Sequence, residues 1–216
     1  LILKTDMAEM APGKNTASFR TLSWQGAGLL LVSSAGVCFE INLTRLFSVS
    51  QFYHFAFMVV SIALLGFGAS GTFLALRRSA EPKKIMPSLS CLAAASGACM
   101  LGMYLLTNFL PFDSFRMAVD SSQILILFLH YTVLASPFFF IGMIISLLLT
   151  SNPSQNGEVY AVNLLGSSAG SLLAVTLPIS IDGEGVVAAS AGLAGLAGAL
   201  FLLGSKKVER RNWIPI

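Results

Sequence analysis

A chain of 216 residues that is 55% apolar and only 11% charged, with a net charge of +3, does not have the makeup of a water-soluble enzyme. Soluble domains carry roughly 25% charged residues, whereas the mean hydropathy here is +0.79. Cys38, Cys91 and Cys99 all fall in apolar runs without metal-ligand spacing, which argues against a disulfide framework or a zinc module.

In chain order, residues 1–21 are mixed and polar and lack the layout of a cleaved signal peptide, because the apolar run that follows is too long. The chain opens on Leu1 and stops soon after a basic tail, as expected of a fragment or of an alternative start such as Met7. Six apolar stretches then predict an all-α integral membrane protein, a six-transmembrane-helix bundle. The spans are expected at about 22–43, 55–76, 88–110, 123–150, 158–178 and 186–203. About 20 apolar residues at 1.5 Å per residue cross the hydrocarbon. The domain division is accordingly a segment 1–21, a transmembrane domain 22–204 and a basic tail 205–216. A soluble domain is expected beyond that tail.

The first span is rich in small residues and carries Glu40 near its far end, followed by a polar hairpin with Arg45. His54 opens the second span. Within that span Gly66, Gly68 and Gly71 spell the G-x-G-x-x-G of a dinucleotide loop. Such a loop needs a strand before it and free helix N-terminal amides at the phosphates. Here the glycines sit inside one apolar helix, so Gly66 and Ser70 are expected on a helix-packing face instead. The fourth span carries His130 in its first third and Pro137 near its middle, where a kink is expected. In the fifth, Tyr160, Asn163, Gly166 and Gly170 recur at helical spacing, and Gly166 with Gly170 forms a GxxxG match, so this stripe is expected to pack against another helix. Gly192, Gly195 and Gly198 in the sixth span extend the theme, although their spacing winds around the helix. The cysteines read as small packing residues. Cys91 and Cys99 would stand about 12 Å apart along one helix, too far for a disulfide.

Of the 13 Lys and Arg residues, only Arg45 and Arg116 fall on the side opposite the termini. The positive-inside rule therefore predicts N- and C-termini in the cytoplasm. With the acids counted, the inner face sums to +6 and the outer to −3, a distribution suited to anionic inner-leaflet lipids.

Ionisable groups at membrane depth are functional candidates by default. Glu40, Arg45, His54 and His130 all fall in the outer half and form a candidate outer polar cluster that could bind a cation or relay protons. The competing reading is a structural Glu40–Arg45 pair, made by a turn at residues 42–44, with both histidines bonded to backbone. There is no nucleophile elbow, P-loop, paired carboxylates or aromatic-interleaved basic patch, so no catalytic, cofactor-binding or metal residues are assigned and nucleic acid is not an expected partner.

Two stretches together resemble the membrane-embedded part of bacterial spermidine synthase-like proteins. The first holds Phe39-Glu40, Leu43-Thr44-Arg45-Leu46, His54-Phe55-Ala56-Phe57 and the run Leu64-Leu65-Gly66-Phe67-Gly68. The second holds Gly157, Tyr160-Ala161, Asn163, Gly166 and Gly170, followed by Pro178 and Gly183. The resemblance covers about residues 24–204. It implies a bacterial inner-membrane module that anchors a cytosolic domain similar to aminopropyltransferases and S-adenosylmethionine-dependent methyltransferases. None of that domain's catalytic or cofactor residues is in this chain. Partners implied are the bilayer, a cytosolic catalytic domain or subunit and a second copy of the chain. The module could also bind or move a small cation; the alternative is a stand-alone small transporter-like or channel-like membrane protein.

Overall fold

The computed structural model describes residues 15–50, 54–76, 85–109, 122–151 and 153–211. The described residues are all-helical and contain no strand. Six helices follow in order: α1 (Asn15–Ser50), α2 (His54–Leu76), α3 (Ile85–Phe109), α4 (Ser122–Ser151), α5 (Asn156–Ser180) and α6 (Gly183–Arg211). A short 3-10 turn, Pro153–Gln155, joins α4 to α5. Each of the six is long and apolar enough to cross a membrane.

α1 is the centre of the bundle. It packs on α5 and α6 on one side and on α2 and α4 on the other, while α3 closes the far side between α4 and α6. Helices next to each other in sequence are often not partners. α5 touches α4 and α6 only slightly and lies mainly on α1. The core is filled by Phe39, Phe138 and Phe201 with Leu29, Leu43, Ile62, Leu134 and Ile144, all almost wholly buried. Phe39 of α1 meets Phe138 of α4 with ring centroids 5.9 Å apart, and Phe67 of α2 meets the same ring edge-on at 5.8 Å, the tilted geometry that aromatic quadrupoles favour.

The helix pairs close where side chains are small, because in lipid the gain comes from backbone approach rather than from expelling water. On α2, a Cβ at Gly66 would stand 2.7 Å from Ala135 O and 2.8 Å from Phe138 Cβ. Ser70, fully buried, fits against Gly142 one turn further on. The predicted Gly66–Ser70 face is therefore a packing face against α4, inside one continuous helix. Gly68 and Gly71 of the same motif meet open space. Between α3 and α6, Gly97 lies against Ala191 O and Gly198 against Ser90, whose hydroxyl donates to Gly198 O at 2.8 Å. Gly192 and Gly195 face outward instead. Of the cysteines, Cys38 is buried beside Ala174 and Val186 as a packing residue. Cys91 is exposed and Cys99 half-buried.

α1 departs most from its expected span, about 22–43. It runs on to Ser50, 36 residues in all, or about 54 Å. The residues expected to turn the chain lie within the helix: Asn42 donates to Gly183 O at 2.8 Å and Thr44 to Ile41 O at 2.7 Å. With those polar groups bonded, and no glycine or proline between Val37 and Ser50, nothing breaks the helix there.

Candidate functional site

The extension of α1 rearranges the expected outer cluster. Glu40 and Arg45 are on one helix, and five residues turn a helix by about 500°, so their side chains leave α1 about 140° apart. Among the described residues no ion pair joins them. Glu40 is half-buried, while Arg45 reaches α5, where its Nη1 donates to Ala174 O at 2.9 Å. The turn at 42–44 that would have folded the guanidinium back on Glu40 is replaced by helix. His130 is buried, 7% exposed, on the core-facing stripe of α4 with Leu134, Pro137 and Ile141. Its Nδ1 lies 2.9 Å from Ile126 O. A carbonyl only accepts, so Nδ1 carries the proton in that bond. The backbone of His54 opens α2, and its side chain lies outside the described residues. Glu40 and Arg45 thus do not pair, and His54, the fourth residue of the expected cluster, lies with its side chain outside the described residues. No group of three or more metal-ligating side chains forms among the described residues.

The second predicted constellation does assemble, with one change of membership. Asn163, Gly166 and Gly170 face α1, as does Ala174 one turn on. Ser33 donates to Asn163 Oδ1 at 2.7 Å. A Cβ at Gly166 would stand 2.5 Å from Leu30 O, and one at Gly170 would collide with the Ser34 backbone. Tyr160 does not belong to this face. It is 57% exposed, and Val159, buried, takes its place. The spacing from 160 to 163 satisfies a helical stripe, but so does 159 to 163, and only the crossing of α5 on α1 decides between them.

Arg45 completes the same interface for a covalent reason. Pro178 lies inside α5 and has no N–H, so the carbonyl four residues earlier loses its helical donor. That carbonyl is Ala174 O, the group Arg45 reaches. A charged donor at this depth meets the demand that every backbone group in a bilayer find a partner. The signal was present in the sequence as Ala174–Pro178 and Arg45, but their pairing depends on α5 lying parallel to α1, which spacing alone does not reveal.

The arrangement defines an integral membrane bundle of six helices with α5 fastened along α1. No protein-family model, curated protein or solved structure matches the chain, and nothing among them links it to spermidine synthase-like proteins.

Proposed function

We propose that the chain is a static membrane module, placed in the bacterial inner membrane with both termini cytoplasmic, that anchors a cytosolic catalytic domain or subunit. The part resembles the transmembrane region of spermidine synthase-like proteins. The observation that carries this reading is how the interior is closed. α1–α5, α2–α4 and α3–α6 each approach to backbone contact through small residues, and large apolar side chains fill the centre. Such interfaces favour one fixed arrangement over the sliding or rocking that transport requires. The Lys and Arg asymmetry supports the orientation.

The transporter-like reading needs Glu40, Arg45, His54 and His130 to act as one cluster, and the divergence of Glu40 from Arg45 counts against it. Proteoliposomes separate the two. Loaded with radiolabelled spermidine, vesicles holding the chain are expected to leak no faster than empty ones. Flux that depends on the chain and falls with Glu40→Gln would replace the anchoring reading. A reporter fused at Ser205 is expected to be active only in the cytoplasm; periplasmic activity would reverse the orientation.

A further inference from the structure

Among the described residues, a lateral groove carries a charged group at its edge. α4 and α5 are joined by a short linker with a 3-10 turn, yet they scarcely touch: α5 lies on α1, whereas α4 packs mainly on α2 and α3. A groove of about 570 Å³ remains between them at the end where α1 begins. Its floor is Gly26, Leu29 and Leu30 of α1, and its walls are Leu148 of α4 with Val159 and Val162 of α5. Apart from Gln25 of α1, that lining is apolar. One carboxylate, Glu158 in the first turn of α5, stands at its edge, exposed and without an ion pair among the described residues.

We propose that this groove holds a single phospholipid whose head carries a primary ammonium, with phosphatidylethanolamine as the ligand. The proposal needs the six spans but not the anchoring role. An apolar trough opening at the membrane surface suits an acyl chain, and its volume lies within the range of ordinary ligand sites. The headgroup is chosen by charge. A carboxylate at the mouth repels a purely anionic head and cannot receive a hydrogen bond from a quaternary choline. An ethanolamine head brings three N–H donors to an acceptor-only group, and charge-assisted bonds of this kind are the strong ones. A second groove of about 790 Å³ lies between α2 and α4. Its walls include Leu65, Phe128 and Phe139, with no charged group to select a head.

Native mass spectrometry of the full chain, equilibrated with equal phosphatidylethanolamine, phosphatidylcholine and phosphatidylglycerol, tests the proposal. The wild type is expected to retain one phosphatidylethanolamine, preferred over phosphatidylcholine about tenfold. Glu158→Gln keeps the shape and is expected to bring that ratio to about one. Gly26→Leu fills the trough, since a Cβ there meets nothing nearer than Val162 Cγ2 at 4.0 Å, and should abolish retention of all three lipids while the chain stays folded. Equal retention of the three heads by the wild type, a preference for phosphatidylglycerol, or an undiminished preference in Glu158→Gln would each overturn it.

Discussion

α4 carries Pro137 in mid-helix and α5 carries Pro178 in its last turn, and the bundle answers the same covalent defect in two ways. Each proline removes the amide that would have bonded the carbonyl four residues back. In α4 that carbonyl is Val133 O, and Ser136 of the same helix donates to it at 2.8 Å. In α5 it is Ala174 O, and the donor comes from another helix, Arg45 of α1. The first repair is local and would survive if α4 stood alone. The second exists only while α5 lies on α1, so it converts a flaw in one helix into a fastening between two. The rest of α5 makes this plain. Its outward face is exposed, with Leu172 and Ile179 among its bare side chains, so the stripe from Val159 to Ala174 carries nearly all of its docking.

The comparison breaks most sharply at Gly170. A side chain there would run into the Ser34 backbone, which cannot swing aside as a flexible side chain would. Gly170→Leu is expected to cost about 3 kcal/mol or more and to release α5. Thermal unfolding in detergent would show it as a loss of the folded species; a melting point within about 2 °C of wild type would contradict the interface. Arg45→Ala comes next. It strands Ala174 O in a low-dielectric setting, for about 1–3 kcal/mol, and Arg45→Lys should recover part because an ammonium still donates. The decisive measurement is a double-mutant cycle with Pro178→Ala, which returns the missing amide to α5. In that background Arg45→Ala should cost about 1 kcal/mol less. Equal costs in both backgrounds would mean that Arg45 and Pro178 are unrelated.

Much of this bundle is legible in the sequence because hydropathy and helical period act locally. Six apolar runs predict six helices, and Gly66 with Ser70, or Gly166 with Gly170, mark faces where backbones meet. What escapes is what depends on partners. Polar residues at 42, 44 and 45 read as the end of a span, since nothing in the sequence says that Gly183 O, Ile41 O and Ala174 O will receive them. Read that way, Glu40 and Arg45 flank a turn and pair; on one helix they diverge. Tyr160 fails for a similar reason. Its period fits the stripe, but the crossing of α5 on α1 selects Val159. The order of neighbours is also hidden, because α5 rests on α1 across more than a hundred intervening residues, as Ser33 to Asn163 illustrates.

The smallest effect is expected where the repair is local. Ser136→Ala removes a neutral hydroxyl donor from Val133 O, and neutral bonds are about half as strong as charged ones. The loss should be about 0.5–1 kcal/mol. It should also be blind to α5. Combined with Arg45→Ala, its cost should simply add, since α4 and α5 scarcely touch. Pro137→Ala is the matching partner, because it restores the amide and makes the hydroxyl redundant. Ser136→Ala in that background should cost close to nothing. If instead Ser136→Ala proved as damaging as Arg45→Ala, the difference between a repair within one helix and a fastening between two would not hold. The proline in α4 would then be tied into the bundle as firmly as the one in α5.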